Sequence, residues 1–136
     1  LSSGAAAERF DRMVKALGGP SDFVRDHRKH LAVAPVIRPV FADGVGVVSS
    51  IRTRDLGLAV IELGGGRRIA SDKIDHRVGL AGLLGKGAAV DAKTPLCVVH
   101  AADEDGFAKA AAIVKAAYVI GECPSVTPAV IERVSP

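Results

Sequence analysis

The chain has 136 residues and a formal charge of +3, and 49% of its residues are hydrophobic, 24% charged and 4% aromatic. This balance predicts a folded globular chain and excludes a disordered, collagen-like or low-complexity one. No apolar run reaches the roughly 18 residues of a membrane-spanning helix, so no membrane partner is expected. Because the first residue is Leu1 rather than methionine, we expect a piece of a longer protein.

Two cysteines and one basic run bear on possible partners. Cys97 and Cys123 form no C-x-x-C motif, which argues against a zinc site or a disulfide framework and fits a reducing cytoplasm. Cys97 lies within an apolar strand pattern and is predicted to be a small buried hydrophobic residue. The run from Arg25 to His30 lacks interleaved aromatic residues and a recognition-helix pattern, so nucleic acid is not an expected partner.

The N-terminal segment is predicted to be helical. Apolar residues recur at helical spacing from Ser3 to Leu17, and Gly18-Gly19-Pro20 ends the pattern. Ser21 or Asp22 can cap a second, shorter helix that continues into the basic run. The stretch from Ala32 to Pro35 has the character of a linker, which predicts a boundary near residue 33.

The pattern then changes to short strands. Val36 to Phe41 is β-rich and contains Pro39, which favours the edge of a sheet. With Asp43-Gly44 as a turn, this segment forms a hairpin candidate with Val45 to Ile51. The spacing of apolar residues predicts a helix from Thr53 to Leu63, although its second half alone also fits a strand.

Shorter elements are predicted in the middle of the chain. Ile74 to Val78 fits a short strand, and the glycine-rich stretch from Gly79 to Gly87 fits a loop. Strands at Ala88–Asp91 and Leu96–Ala101 flank a turn at Lys93–Pro95.

The C-terminal part combines a helix with a strand. Asp103 is predicted to cap a long alanine-rich helix that ends at Gly121, and Ser125 to Val134 is predicted to be a closing strand. Several short strands interrupted by helices predict an α+β fold rather than a doubly wound parallel sheet. No internal repeat is visible.

The stretch from Gly64 to Arg68 carries the clearest chemical pattern. Glycines let backbone N–H groups approach an oxyanion and two guanidinium groups can bind it, so phosphate contact is one interpretation. The stretch is neither a dinucleotide fingerprint nor a Walker loop, and a triple glycine after a helix is commonly a C-cap and hinge, which is the alternative. Gly82 to Gly87 superficially resembles a P-loop, but its spacing is wrong and no Ser or Thr follows Lys86.

Structural roles explain most of the other polar residues. His27 and His30 lie three positions apart without a third ligand, so no metal is expected. A general-base role stays open for His76, and for His100 at a strand end near two carboxylates. The acidic run Asp103–Asp105 is explained by capping and by the dipole of the helix that follows it.

A carrier function is a further alternative. Lys73, preceded by Asp72, lies between short predicted strands, as does the modified lysine of lipoyl carrier domains. Those domains place the lysine at the tip of a tight hairpin between two similar half-domains. That arrangement is not apparent, because the helix predicted from Thr53 to Leu63 occupies the place of a strand.

Several blocks of the sequence, taken in order, resemble the C-terminal part of thymidine phosphorylases, members of the pyrimidine nucleoside phosphorylase family. These blocks are Ala16–Phe23, Gly46–Ser49, Thr53-Arg54, Leu56–Val60, Gly64–Arg68, Ala70–Asp72, Ile74-Asp75, Val78-Gly79, Pro95–Ala101 and Ala110–Ala117. Each block alone is weak, whereas their order and spacing together are specific. The resemblance covers essentially Ser3 to Pro136.

The resemblance implies an enzyme that cleaves thymidine or a related pyrimidine nucleoside with phosphate, releasing the base and 2-deoxyribose 1-phosphate without a cofactor. In this family the phosphate-binding residues, the glycine-rich signature and the base-binding residues all belong to earlier parts of the chain. No catalytic residue is therefore carried over to this sequence, and the 136-residue chain alone is expected to be inactive. The parent enzyme is expected to be a cytoplasmic homodimer that binds phosphate and a pyrimidine nucleoside.

The same resemblance implies an architecture. Residues 1–32 correspond to the helical end of a large α/β domain, and residues 33–136 to a C-terminal α+β domain of hammerhead-like architecture. In relatives the glycine-arginine loop lies toward the substrate cleft and is expected to order on closure and exclude water. The candidate site residues are therefore Gly64, Gly65, Gly66, Arg67, Arg68 and Ser71. The competing interpretation is a non-catalytic anion-binding or lipoyl-like carrier module.

Overall fold

The computed structural model describes residues 2–122 and 132–133. The chain divides into two compact units, Leu1–Val33 and Ala34–Pro136. The assignment of residues 1–32 to the end of a larger α/β domain stays a prediction.

The first unit contains the predicted N-terminal helix, α1, from Ala5 to Ala16. Gly18 ends it with a left-handed backbone, φ +81°, where only glycine is free of strain. The amides of Gly18 and Gly19 donate to the carbonyls of Lys15 and Val14 at 3.0 and 2.9 Å, which is a Schellman cap. The sequence therefore located both the helix and its stop signal.

The second helix predicted from Ser21 or Asp22 is wrong, because only a single 3₁₀ turn forms there, from His27 to Lys29. The basic run has no apolar stripe to bury, and short helices depend on such packing for stability. Instead, the Asp22 carboxylate binds the His30 ring at 2.7 Å and the Lys29 ammonium at 3.2 Å. These bonds tie the end of the segment to its beginning.

In its described residues, 34–122 and 132–133, the second unit contains two helices and two small antiparallel sheets. Its elements are β1 (Val36–Val40), β2 (Gly46–Ile51), α2 (Thr53–Glu62), β3 (Gly79–Ala81), β4 (Ala89–Val90), β5 (Cys97–Ala101), α3 (Glu104–Ala117) and β6 (Tyr118–Gly121). One sheet has the order β1-β5-β3 and the other the order β4-β2-β6. The predicted α+β class is confirmed, as is the helix from Thr53.

The predicted hairpin between Val36–Phe41 and Val45–Ile51 is wrong, because β1 and β2 belong to different sheets. In β1, Val40 pairs with Cys97 of β5, whereas β2 places Val48 opposite Ile120 of β6. Local alternation identifies strands but does not specify their partners. Among residues 2–122, β1 pairs with β5 alone, so Pro39 lies on a strand at the edge of its sheet, as predicted.

Three boundaries differ from the sequence prediction in the second half of the chain. Ile74 to Val78 is not a strand, because Arg77 donates its amide to the Asp75 carboxylate at 3.0 Å and forms an Asx turn. The stretch predicted as a loop from Gly79 contributes its first three residues to β3. The last helix ends at Ala117 rather than Gly121, because Tyr118 to Gly121 pairs with β2 as a strand. The closing strand predicted at 125–134 lies outside the described residues, apart from exposed Glu132 and Arg133.

The core of the second unit lies between its sheets and helices. Its largest fully buried side chains are Val48, Val90, Leu96, Cys97, Val99 and Val114. The prediction that Cys97 is a buried hydrophobic residue is confirmed, and burial raises the pKa of its thiol to about 11. A protonated buried thiol is unreactive, so this residue fills space rather than performing chemistry.

We expect residues 34–136 to unfold in one cooperative transition when residues 1–33 are deleted. The second unit has its own core. In contrast, α1 contains no buried residue, and Leu17, which directly follows it, is 80% exposed. Thermal unfolding followed by circular dichroism should give a similar midpoint for the deletion variant and the full chain. Limited proteolysis that degraded residues 34–122 as fast as residues 1–33 would contradict two independent units.

Candidate functional site

The glycine-arginine loop, residues 64–72, begins with a Schellman cap on α2. The amide of Gly64 donates to the Ile61 carbonyl and that of Gly65 to the Val60 carbonyl, both at 2.9 Å. Gly64 has a φ of +88°, where only glycine is unstrained. The amides of two of the three glycines are therefore used to end the helix and do not face an anion.

The next two glycines are packed against the same helix. A Cβ on Gly65 would lie 2.9 Å from Val60 Cγ1, and one on Gly66 would lie 2.8 Å from Ile61 Cγ1. The backbone returns at Asp75, whose amide donates to the Gly64 carbonyl at 2.9 Å. The loop therefore leaves α2 and comes back to the same point, so both of its ends have a defined position.

A carboxylate occupies the middle of the loop. Asp72 Oδ2 accepts hydrogen bonds from the amides of Arg68 at 2.9 Å and Ile69 at 3.1 Å. The amide of Asp72 donates in turn to the Ile69 carbonyl at 3.1 Å. The hydrogen bonds from Ile69 and Arg68 lower the pKa of Asp72, because they stabilise its charged form. Asp72 thus occupies the kind of amide pair that an external oxyanion would otherwise use.

Two arginines at this site are already paired with carboxylates. Arg68 donates to Glu62 at the end of α2, where a cation also complements the helix dipole. Arg77 binds Asp75 through both Nε and Nη2, at 2.9 Å to Oδ1 and 2.7 Å to Oδ2. The Arg77 guanidinium, with its backbone amide, lowers the pKa of Asp75 to about 2. Asp75 is therefore ionised at neutral pH.

Two other cations lie in or directly after the loop, and they and the serine of the loop are exposed to solvent. Arg67, Ser71 and Lys73 are exposed. Neither Arg67 nor Lys73 forms an ion pair with a residue in the part of the chain that the structure describes. The six predicted site residues thus lie on one loop, but they divide into glycines that cap a helix, one paired arginine and two exposed side chains.

The described structure gives no hydrogen bond between the loop and His30, His76 or His100. His30 binds Asp22 in the first unit, whereas His76 is exposed. His100 is half-buried on β5 between Ile37 and Gly79, and both carboxylates predicted near it have other partners. Among residues 2–122 and 132–133, no group of three or more His, Cys, Asp or Glu side chains could hold a metal ion.

The two carboxylates predicted near His100 are Asp103 and Glu104, which lie at the start of α3. Asp103 is confirmed as its N-cap, since its side chain accepts the Gly106 amide at 2.7 Å. Glu104 forms an ion pair with Arg38 of β1, and the Arg38 guanidinium lies 4.1 Å from the centre of the Phe107 ring. These contacts hold the edge strand on the helix, and they explain the acidic run as structural.

Lys73 does not occupy the position of a carrier lysine. It follows Asp72 in the loop after α2, and no pair of hydrogen-bonded strands flanks it. Sequence reasoning did not predict that Glu62, Asp72 and Asp75 bind the arginines and amides of this region. The Asp-x-Arg spacing of Asp75 and Arg77 was the available signal, because an Asx turn brings these two side chains together.

The second unit is thus a small α+β unit with two antiparallel sheets, in which a capped helix is followed by a charged loop. The family model for the pyrimidine nucleoside phosphorylase C-terminal domain matches residues 47–121 of this sequence, which is more than half of the chain. The chain belongs to this family. The matched segment contains the glycine-arginine loop. None of the helices in the described part of the chain is long and apolar enough to cross a membrane.

Proposed function

We propose that this chain is the C-terminal part of a thymidine phosphorylase. The parent enzyme catalyses the reversible phosphorolysis of thymidine to thymine and 2-deoxyribose 1-phosphate in pyrimidine nucleoside salvage, as a cytoplasmic homodimer. The observation that carries this proposal is the family match over residues 47–121, which spans the glycine-arginine loop. The thymidine preference rests on the order of sequence blocks from Ser3 to Pro136 that resemble thymidine phosphorylases.

The role proposed for this chain is to close over substrates rather than to react with them. Phosphorolysis requires a positioned phosphate nucleophile and stabilisation of the departing base, both of which are electrostatic tasks. Arg68 and Arg77 are already neutralised by carboxylates. Arg67 and Lys73 are exposed. A loop anchored at both ends and exposed in its middle suits closure over a cleft that excludes water.

We expect the 136-residue chain alone to release no thymine from thymidine and phosphate, because no residue of the family's phosphate and base motifs is present in it. The parent protein that contains this sequence should release thymine in the same assay. Thymine release, followed by its ultraviolet absorbance, measures both. Deoxyuridine and uridine as parallel substrates test the thymidine preference.

Two results would contradict this proposal. Turnover by the 136-residue chain at the rate of the parent would place the chemistry within it. A parent protein without phosphorolytic activity on any of the three nucleosides would favour the non-catalytic anion-binding or carrier interpretation.

A further inference from the structure

The sequence contains two Asp-Gly pairs, Asp43-Gly44 and Asp105-Gly106, and no asparagine. An aspartate followed by glycine isomerises readily, because glycine has no side chain to hinder attack of its backbone nitrogen on the preceding carboxyl carbon. That nitrogen must turn toward the aspartate side chain, so a free backbone favours the reaction and a hydrogen-bonded one resists it. The same dipeptide is therefore found in two structural environments within one chain.

Asp43-Gly44 lies in the connection between β1 and β2, outside any helix or strand. Both residues are exposed, as is Val45, which follows them. A Cβ on Gly44 would meet no atom within 4 Å, and the Gly44 amide donates no hydrogen bond to a residue among 2–122 and 132–133. The Asp43 carboxylate is 79% exposed and forms an ion pair with Lys115 of α3, a surface contact that restrains the connection only weakly.

Asp105-Gly106 is held in the first turn of α3. The Gly106 amide donates to the Asp103 carboxylate at 2.7 Å, which is the N-cap bond of this helix. A Cβ on Gly106 would lie 3.2 Å from Asp103 Oδ1 and 3.9 Å from Leu63 Cδ2, so the backbone is packed as well as bonded. The nitrogen that could attack the Asp105 carboxyl carbon is thus fixed in place.

We propose that Asp43 is a site of spontaneous isomerisation to isoaspartate in the folded chain, and that the N-cap of α3 protects Asp105 from the same reaction. The Gly44 nitrogen bonds to Asp43 Cγ, and its proton leaves with the carboxyl hydroxyl as water, which closes a five-membered succinimide ring. Water then adds to the ring. Opening at the new N–Cγ bond regenerates aspartate, whereas opening at the original peptide bond gives isoaspartate. Water is the only co-reactant, and nothing is oxidised or reduced.

The product changes the connection between β1 and β2. In isoaspartate the main chain runs through Cβ and Cγ, so the connection gains one backbone carbon. The free carboxylate is then attached directly to Cα, which shortens its reach toward Lys115. Because β1 and β2 belong to different sheets, the modification alters the link between the two sheets of the second unit. This inference does not depend on the proposed function.

The test stores the 136-residue chain in mildly acidic buffer at physiological temperature, either folded or unfolded in guanidinium chloride. Peptides that contain isoaspartate have the mass of the original peptides, so they are separated by chromatography and assigned by electron-transfer fragmentation. In the folded chain we expect isoaspartate to form at Asp43 at least about tenfold faster than at Asp105, because α3 must open locally before Asp105 can react. In the unfolded chain the two rates should agree within about threefold, since neither glycine amide is then held by a helix.

Two variants test the two halves of the proposal. Gly44→Ala should slow the reaction at Asp43 by about fivefold, because alanine restricts the backbone, and the open space around Gly44 accommodates its Cβ. Asp103→Ala should speed the reaction at Asp105 by about fivefold, because loss of the N-cap bond frees the Gly106 amide, and it should leave Asp43 unaffected.

The proposed site is wrong if the folded chain forms isoaspartate equally fast at Asp43 and Asp105, or if Asp43 reacts only after unfolding. An unchanged rate at Asp105 in Asp103→Ala would overturn the protective role of the N-cap.

Discussion

Leu96→Ala is expected to lower the free energy of unfolding of the second unit by about 2–5 kcal/mol. The Leu96 side chain is 1% exposed, lies just before β5 and belongs to the hydrophobic core of the second unit. Truncation to alanine removes apolar atoms from this buried position and leaves a cavity among its neighbours. Urea unfolding followed by circular dichroism measures the loss.

Leu58→Ala is the matched control, because it removes the same atoms from a side chain that is 46% exposed on α2. Its effect should stay within about 0.5 kcal/mol. If Leu96→Ala cost no more than Leu58→Ala, the core assigned to the second unit would be wrong.

Gly64→Val is expected to destabilise the chain by about 1–3 kcal/mol. The φ of +88° at this position is strained for any residue with a Cβ, and most of all for a β-branched one. The valine can adopt a relaxed backbone only if the cap bonds to Val60 and Ile61 break. We therefore expect faster proteolysis within residues 64–72, in addition to a lower unfolding midpoint.

The control for this variant is Gly57→Val, which lies inside α2 where a Cβ would meet no atom within 4 Å. Valine has a somewhat better helix propensity than glycine, so the free energy of unfolding should stay unchanged or rise by a few tenths of a kcal/mol. Similar destabilisation by both variants would mean that glycine at 64 has no conformational role.

The sequence was sufficient to predict elements whose signals are local. The apolar spacing before Gly18, the spacing from Thr53 to Leu63 and the cap at Asp103 each placed a helix correctly. Family-specific blocks also located the glycine-arginine loop and the α+β class. These features depend on residues within a few positions of each other, which is why they could be read without a structure.

Features that depend on distant partners could not be predicted in this way. Tyr118 to Gly121 continues a helical pattern, but pairing with β2 across the chain turns it into a strand. The ion pair between Arg68 and Glu62 likewise forms across the helix cap at Gly64 and Gly65, which the sequence offered only as an alternative. The two adjacent arginines therefore looked equivalent in the sequence and are distinct in the structure.

The charges of the glycine-arginine loop also set the range over which it acts. From Glu62 to Arg77 there are four cationic side chains and three carboxylates, so the excess is a single positive charge. Two of the four cations are paired directly with carboxylates, and salt screens the remaining excess charge beyond about one Debye length, which is roughly 8–10 Å in physiological salt. Such a surface exerts little long-range attraction on polyanions such as RNA, and it discriminates among small anions only at contact. Association rates with phosphate compounds should consequently vary little with ionic strength, in contrast to those of a uniformly basic surface.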